Sequence, residues 1–410
     1  VRLLFALLCV HASLHAENWP MWRGPRLDGT AAAAAYPTQW SAKEKVAWRT
    51  ALPGAGHASP IVWDDCVFTV SANTETGERL LLCLDRATGK MRWQSTVVKA
   101  PLERLHRLNS HASSTPATDG EHIYSAFLEG EMVVVAAHDF AGKQVWLKRP
   151  GRFSSIHGFC SSPILFEGKV IVNCDHDGDG YIVALDHANG TEIWRIARPN
   201  HTRSYCVPII RSIGARTQMV LSGSKCVTSY DPRSGKLLWM IDGPTEQFVA
   251  SLVYNSEANL FFLTAGYPQH HILAIRPDGT GNVTNTHIAW RTTKGAAYVP
   301  SPITVGSYFL VTSDSGVAFC FDTNTGEILW QERVGEQHAS LVSANGLVYF
   351  LNDRGTMHVI RPGARYQLVA TNEIGEPTFA SPALSDGQIF LRSDTHMICI
   401  GKQTAPTAAK

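Results

Sequence analysis

The sequence lacks an excess of charge of either sign. It contains 36 lysine and arginine residues and 35 aspartate and glutamate residues, for a formal net charge of +1 among 410 residues. Nucleic-acid-binding proteins usually present a basic surface, so this balance excludes a broadly basic interface of that kind. The sequence also lacks an apolar run of the ~20 residues that a membrane-spanning helix needs. We therefore expect no transmembrane segment.

Several motifs of metal and covalent chemistry are absent as well. There is no C-x-x-C zinc pattern, no C-x-x-C-H haem attachment site, no G-x-S-x-G elbow and no H-E-x-x-H helix. No long stretch shows the 3.6-residue periodicity of an amphipathic helix. The sequence thus gives no support to a zinc-ribbon protein, a c-type cytochrome or a common hydrolase, and it favours an all-β fold.

The first 16 residues have the pattern of a secretory signal peptide. Arg2 is followed by the apolar residues 3–10, and small residues lead to Ala16. We predict a signal peptide over residues 1–16 and hence a secreted or periplasmic protein. The alternative interpretation is an ordinary buried strand. Leu8 stands before Cys9 where a lipoprotein signal needs a small residue, so we expect no lipid anchor.

Eight of the nine cysteines would remain after cleavage of such a signal, and an exported protein can oxidise them. Cys160 and Cys174 lie at opposite ends of one predicted hairpin, and Cys66 and Cys83 flank another. Each pair is a candidate disulfide. The alternative is that these residues are buried free thiols that act as small hydrophobic side chains.

One phrase recurs along the chain. It reads Asp-x-x-x-Gly-x-x-x-Trp at residues 85–93, 186–194, 231–239 and 322–330, and a looser copy ends at Trp146. Closing tryptophans recur at separations of 40 to 53 residues, namely Trp48, Trp93, Trp146, Trp194, Trp239, Trp290 and Trp330. A near-constant period in this range is typical of propellers and solenoids.

Each repeat also contains a two-strand phrase upstream, such as "SSPILFEGKVIVN", and eight copies can be recognised. With the strands on either side of the recurring turn, a repeat contains four antiparallel strands, which is one propeller blade. We predict an all-β, eight-bladed β-propeller of four-stranded antiparallel blades, with seven blades as the alternative. Residues 45–50 form a strand without a blade, so we expect the N- and C-terminal strands to pair and close the ring. Each tryptophan should wedge between neighbouring blades.

The predicted domain organisation follows from these assignments. The signal peptide of residues 1–16 precedes an extended N-terminal clasp over residues 17–36, in which Trp19, Trp22 and Arg23 pack against the propeller. Exposure of these tryptophans for partner binding is the alternative. The propeller occupies residues 37–402, and a disordered tail follows at 403–410.

The Asp186, Gly190 and Trp194 pattern resembles the tryptophan-docking motif of quinoprotein propellers, the PQQ-like repeat proteins. This family includes dehydrogenases that use pyrroloquinoline quinone (PQQ) and BamB-like secreted bacterial proteins. The resemblance implies the fold more than an activity. The PQQ alcohol dehydrogenases typically place a disulfide between adjacent cysteines against the cofactor, and this sequence has no Cys-Cys dipeptide. We therefore expect no cofactor, with PQQ and calcium as the alternative.

The residues that precede each innermost strand form the first candidate site. In register, these ring positions are His57, His111, His157, Tyr205, Gln247, Tyr298, His338 and Phe379. Residues that enter the innermost strands crowd the mouth of the central channel, where propellers often bind ligands. Histidine and tyrosine there suit a sugar, an anionic small molecule or a peptide end. The alternative is that they plug the channel by bonding to one another.

A second candidate is the acidic segment "DHDGDGYIVALD". Asp175, Asp177 and Asp179 alternate before Gly180, and Asp186 stands where a calcium loop has its last acid. These three aspartates are the predicted metal ligands, but strands rather than helices flank them, which favours a polar hairpin loop. Taken together, the sequence predicts a non-catalytic binding or scaffold module for a protein or small ligand at the channel mouth. A PQQ-dependent oxidoreductase is the alternative.

Overall fold

The computed structural model describes residues 17–403, which form 33 strands and no helix. The strands form eight sheets, one for each predicted blade, so the all-β eight-bladed propeller is confirmed and the seven-bladed alternative is wrong. Residues 17–403 contain no helix long and apolar enough to cross a membrane. The predicted signal peptide lies outside the described residues, as does all but residue 403 of the predicted tail.

The first four blades follow one another along the chain after the initial strand β1 (Val46–Ala51). Their strands are, for blade 1, β2 (Ile61–Trp63), β3 (Cys66–Asn73), β4 (Glu78–Asp85) and β5 (Met91–Lys99); for blade 2, β6 (Ala117–Thr118), β7 (His122–Glu129), β8 (Met132–Asp139) and β9 (Gln144–Arg152); for blade 3, β10 (Ile164–Phe166), β11 (Lys169–Cys174), β12 (Gly180–Asp186) and β13 (Glu192–Arg198); and for blade 4, β14 (Ile209–Ile213), β15 (Arg216–Gly223), β16 (Cys226–Tyr230) and β17 (Leu237–Asp242).

The remaining blades complete the ring. Their strands are, for blade 5, β18 (Val253–Asn255), β19 (Leu260–Ala265), β20 (His271–Ile275) and β22 (Ile288–Thr292), with the short β21 (Gly281–Asn282) inserted before the last; for blade 6, β23 (Ile303–Val305), β24 (Tyr308–Thr312), β25 (Val317–Asp322) and β26 (Ile328–Arg333); for blade 7, β27 (Val342–Ala344), β28 (Leu347–Leu351), β29 (Thr356–Ile360) and β30 (Leu368–Glu373); and for blade 8, β31 (Ala383–Ser385), β32 (Gln388–Arg392) and β33 (His396–Ile400).

The two ends of the propeller meet in blade 8. Strand β1 pairs antiparallel with β33, from Val46 opposite Ile400 to Ala51 opposite His396. The pairing supplies the fourth strand that the C-terminal repeat lacks, which confirms the predicted closure. Blade 4 departs from the pattern because β21 adds a fifth, parallel strand on the outer edge of β17.

The recurring phrase is the turn between the third and fourth strands of a blade. In blade 3, Oδ1 of Asp186 accepts the backbone N–H of Ala188 at 2.9 Å and that of Asn189 at 3.1 Å. Gly190 has a φ of +72°, and a Cβ there would come within 2.7 Å of the Trp146 ring. Both the backbone conformation and the close approach therefore require glycine.

Six of the seven tryptophans dock on the next blade as predicted. Each indole N–H donates to a backbone carbonyl in the following blade's turn. The pairs are Trp48 to Arg86 at 2.8 Å, Trp93 to Phe140 at 2.8 Å, Trp146 to His187 at 2.9 Å, Trp194 to Pro232 at 3.2 Å, Trp290 to Thr323 at 2.9 Å and Trp330 to Gly363 at 3.0 Å.

Trp239 does not make this contact directly. Its indole N–H donates to Oε1 of Gln218 in its own blade at 2.8 Å. The side-chain amide of Gln218 in turn donates to the carbonyl of Pro277, in the turn of blade 5, at 3.1 Å. Blade 5 lacks the Asp-x-x-x-Gly turn, so a glutamine bridges the indole and the neighbouring blade.

Blade 7 has no tryptophan on its outer strand, where Ala370 takes the equivalent position. Tyr36 and Trp40 from the N-terminal segment lie in one hydrophobic cluster with Ala370 and with residues of blades 7 and 8. The backbone N–H of Trp40 donates to Oδ1 of Asn372 at 2.7 Å. A segment over 300 residues away in sequence thus supplies the aromatic side chains at this interface.

The cysteines of the described chain are all free thiols. Cys160 and Cys174 are not bridged, and burial raises the pKa of each thiol to about 12. Cys66 and Cys83 are likewise unbridged and buried. Of the two interpretations that the sequence allowed, the structure has buried thiols that pack as small hydrophobic side chains.

Candidate functional site at the channel throat

The eight innermost strands surround a central channel with two different ends. At one end, which we call the rim, lie the residues that enter these strands. The other end is crossed by the N-terminal segment, where Trp19 exchanges backbone hydrogen bonds of 2.8 and 2.9 Å with Val62 of β2. Trp19 is only 1% exposed. The segment therefore covers the channel end opposite the rim.

A cavity of about 120 Å³ occupies the channel between these ends, and we call it the throat cavity. Four of the predicted ring residues line it at the rim, namely His57, Tyr205, His338 and Phe379. Trp22 lines it from the N-terminal segment. The cavity is smaller than the roughly 300–1,000 Å³ pockets that take drug-sized ligands, so it suits a small group.

Hydroxyl side chains form the wall of the channel below the rim. We call them the hydroxyl ring, and they are Ser59, Thr115, Ser162, Ser251, Ser301, Ser340 and Ser381, each at the same position of its blade. All but Ser251 line the throat cavity. Backbone N–H groups of one blade donate to the hydroxyl of the next: Ser59 to Thr115, Thr115 to Ser162, Val207 to Ser251 and Ser251 to Ser301 at 2.9 Å, Ser301 to Ser340 at 3.0 Å and Ser340 to Ser381 at 2.9 Å.

The floor of the channel holds a buried arginine. The guanidinium of Arg23 donates to the carbonyls of Ser301 at 3.2 Å, Pro302 at 2.6 Å and Asp28 at 2.5 Å. Burial lowers the pKa of Arg23 to about 10, so the group stays charged at neutral pH. It fastens the N-terminal segment beneath the ring and places a positive charge there.

At the rim, Phe379 lies between two imidazoles. Its ring centroid is 4.7 Å from that of His57 and 5.2 Å from that of His338. Burial, with the charges of Arg392 and His338, lowers the pKa of His57 to about 4. His57 is therefore neutral at physiological pH and presents a flat, partly apolar face.

His338 has the opposite character because it is paired with a carboxylate. Oδ2 of Asp353 lies 2.6 Å from its Nδ1, and Oδ1 accepts its backbone N–H at 2.8 Å. Burial lowers the pKa of His338, but the hydrogen bond and charge of Asp353 outweigh it and leave the pKa above its usual value. Nε2 of His57 lies 3.8 Å from Oδ1 of Asp394, whose pKa is raised by burial.

Four of the predicted ring residues do not line the cavity. Nε2 of His111 lies 2.9 Å from the carbonyl of Glu103 in the loop before it. Nδ1 of His157 lies 2.9 Å from the hydroxyl of Tyr205, and the Tyr298 hydroxyl donates to Oε1 of Gln247 at 3.0 Å. These contacts fit the plug interpretation, whereas His57, His338 and Phe379 line the cavity.

The three predicted metal ligands do not converge. Asp175 is fully buried and pairs with Arg198, with 2.8 Å between Oδ1 and Nε. Asp177 pairs with Arg203 at 2.6 Å, and the side chain of Asp179 is fully exposed. Within residues 17–403, no group of three or more histidine, cysteine or acidic side chains is placed to hold a metal ion.

A larger groove of about 560 Å³ lies away from the channel, between blades 4 and 5. The polar groups that line it are already bonded within the fold. Arg216 donates to the carbonyl of Gly279 at 2.6 Å, and Gln218 bridges Trp239 and Pro277. Because these polar groups are already bonded, we place the candidate site at the throat.

The lowered pKa of His57 predicts a pH effect on stability. Between pH 7 and pH 4 the unfolded state, with a histidine pKa near 6.5, binds more protons than the native state. The free energy of unfolding therefore decreases as the pH is lowered through this range. We expect the native protein to lose about 2 kcal/mol more than the His57→Gln variant between pH 7 and pH 5. Urea unfolding of both proteins at pH 7 and at pH 5 measures this difference. His338 titrates in both proteins, so its contribution largely cancels when the two losses are subtracted. Equal losses would contradict a buried, neutral His57.

A closed ring of eight four-stranded sheets joined by tryptophan contacts defines a β-propeller of the tryptophan-docking class. The family model described as outer membrane protein assembly factor BamB matches residues 77–332 and 269–362. These matches span residues 77–362, or 286 of 410 residues, and the chain belongs to this family of PQQ-like β-propellers.

Solved structures show the same architecture. BamB from Moraxella catarrhalis superposes with a TM-score of 0.62 at 13% identity, covering 87% of this chain and 99% of that one. The computationally designed Ika8 protein gives 0.57 at 12% identity, covering 85% and 98%. Comparison with curated proteins gave no match. At these identities the similarities show the fold alone.

Proposed function

We propose that this protein is a non-catalytic binding module that holds a small ligand, or a small group of a protein partner, in the throat cavity. The observation that carries the proposal is the cavity itself. One end is covered by Trp22, and the other opens between His57, Phe379 and His338. A cavity closed on one side accepts a ligand or chain end from the rim only.

The geometry supports binding rather than PQQ chemistry. PQQ is a tricyclic quinone with three carboxylates, and a cavity of about 120 Å³ is too small to hold it. The rim residues do not fit it either, since His57 is neutral and the guanidinium of Arg392 already donates to Thr69, Val70 and Ser71. We therefore derive no step through this cofactor.

The proposal includes a location outside the cytoplasm. The apolar residues 3–10 and the small residues before Glu17 support export. The description of the matched family as an outer membrane assembly factor supports it independently. A protein partner in such an assembly would reach the rim, because the N-terminal segment covers the other end of the channel.

A ligand screen by thermal unfolding tests the proposal. Sugars, short peptides, amino acids and small oxyanions are added to the full chain, and a true ligand stabilises the native state by about 2.7 kcal/mol at a hundred times its Kd. The double variant His57→Ala with His338→Ala should lose this stabilisation. The matched control is His111→Ala, whose imidazole faces a backbone carbonyl outside the cavity.

The outcomes separate binding from plugging. A compound that stabilises the wild type and the His111 variant, but not the double variant, supports the proposal. If no compound stabilises the wild type, and the double variant alone unfolds at a much lower temperature, the rim residues are a structural plug and the proposal is wrong.

A further inference from the structure

The hydroxyl ring has unused hydrogen-bond donors. A serine or threonine hydroxyl carries one donor and two acceptor sites. Thr115, Ser162, Ser301, Ser340 and Ser381 each accept a backbone N–H from the preceding blade. Among residues 17–403, none of these five hydroxyls donates a hydrogen bond to another group. Their O–H groups are therefore available at the wall of the throat cavity.

Ser59 is the clearest member of the ring. It is only 4% exposed and lines the cavity, yet its hydroxyl has no hydrogen-bond partner within the described part of the chain. By the pattern of the ring, the backbone N–H of Ser381 in blade 8 would donate to the Ser59 hydroxyl in blade 1, but this hydrogen bond is not formed. The ring has a second gap at blade 4, where Val207 stands in place of a hydroxyl and the N–H of Ser162 has none to reach. The Ser59 oxygen is open to the cavity, so its O–H can donate to a ligand or a water there.

The charges around the throat also favour a negative ligand. Arg23 beneath the ring donates only to backbone carbonyls. Arg392 near the rim is 1% exposed and donates to Thr69, Val70 and Ser71, without a carboxylate partner. Two buried guanidinium groups thus lie at the two ends of the channel, with the charge of Asp28 acting on Arg23 and that of Asp394 acting on Arg392.

Among residues 17–403, no carboxylate side chain lines the throat cavity. Asp353 is bonded to His338, and Asp394 faces His57. Below them, the side chains that line the cavity besides the hydroxyl ring include Val207, Val249 and Val299, which offer no acceptor. A ligand in the throat therefore meets hydroxyl donors at the wall, while Asp28 lies beyond the floor and Asp353 and Asp394 lie at the rim.

We propose that the throat cavity binds one oxyanion group, such as a carboxylate or a phosphate, through the hydroxyl ring. This inference rests on the proposed binding function and names the chemistry of its ligand. The volume of about 120 Å³ limits the bound group to a few heavy atoms. The group is therefore either a free small anion or the terminal carboxylate of a chain that enters from the rim.

Two variants of the ring test the proposal in opposite directions. Ser59→Ala removes a donor that makes no bond within the fold, so it should weaken binding about tenfold or more, as expected for a hydrogen bond to a charged group. Val207→Thr adds a hydroxyl where the ring is broken. It should strengthen binding, because the N–H of Ser162 can donate to the new oxygen while its O–H faces the ligand.

The experiment titrates the full chain with acetate and with inorganic phosphate by calorimetry at constant ionic strength. Acetamide is the control, because it has nearly the shape of acetate without the charge. We expect saturable binding of an oxyanion but not of acetamide, in the affinity order Val207→Thr, wild type, Ser59→Ala. A short peptide with a free carboxyl terminus, compared with its amidated form, distinguishes a chain end from a free anion.

Two results would overturn the proposal. One is the absence of saturable binding by acetate, phosphate and the free-carboxylate peptide; the other is equal affinity in the wild type and both ring variants. If a sugar or another neutral compound still stabilises the protein through His57 and His338, only the oxyanion inference fails. If no compound of any class binds, the proposed function fails with it.

Discussion

Replacing Trp146 with alanine is expected to lower the free energy of unfolding by about 4 kcal/mol. Its side chain is 7% exposed, packs against Gly190 of the next blade and donates its indole N–H to the carbonyl of His187. The substitution leaves a cavity between blades 2 and 3 and an unbonded carbonyl. Denaturant unfolding followed by tryptophan fluorescence and far-ultraviolet circular dichroism measures the loss.

Val145 provides the matched control on the same strand. It precedes Trp146 and is 45% exposed, so Val145→Ala should change stability by less than about 0.5 kcal/mol. A Trp146→Ala variant as stable as the Val145→Ala variant would show that the indoles do not hold the blades together.

Gln218→Ala should weaken the boundary of blades 4 and 5 in the same way, because its amide bridges Trp239 and Pro277.

The ring of blades could be predicted because its contacts are made by residues that recur. Asp186, Gly190 and Trp146 act within one turn and one neighbouring strand, and the same three residue types return about every 45 residues. A repeat of this kind carries its own interface, so the blade count and the closure by β1 follow from the spacing. Nothing in the pattern reveals that Trp40 serves blade 7, because that contact depends on a segment outside the repeats.

The positions of the ring residues were predicted in part, and their binding role stays a prediction. The register correctly places His57, Tyr205, His338 and Phe379 at the throat, but His111 faces the carbonyl of Glu103, since a nearby backbone group satisfies its ring. The hydroxyl ring was visible in the sequence as a serine or threonine at one position of seven repeats, before proline or leucine. The ring of hydrogen bonds was not predicted, because each hydroxyl accepts a backbone N–H from a residue about 40 to 55 positions away in the sequence.

The acidic segment of blade 3 shows the limit of local spacing. Alternating aspartates predict a calcium loop, yet the partner of Asp175 is Arg198, 23 residues downstream and across the blade. Both side chains are almost fully buried, at 0% and 2% exposed. A buried carboxylate with a guanidinium 2.8 Å away has no need of a cation.

Replacing Asp175 with alanine is therefore expected to cost about 3–5 kcal/mol, because it leaves Arg198 buried without its counter-charge. Arg198 would keep its bonds to Thr228 at 3.1 Å and Tyr230 at 2.7 Å, which do not neutralise it. The double variant Asp175→Leu with Arg198→Met should recover most of the loss, since it removes both charges. Urea unfolding of Asp175→Leu, Arg198→Met and the double variant gives the coupling energy.

Asp179 is the control that separates an ion pair from a metal loop. Its side chain is fully exposed, so Asp179→Asn should leave stability unchanged if Asp175 acts through Arg198. In a calcium loop, both aspartates would be ligands. A chelator would then lower the melting temperature of the wild type, and Asp179→Asn would reproduce that loss. A coupling energy near zero between Asp175 and Arg198, together with such a chelator effect, would contradict the ion-pair interpretation. Asp175 would then be a metal ligand.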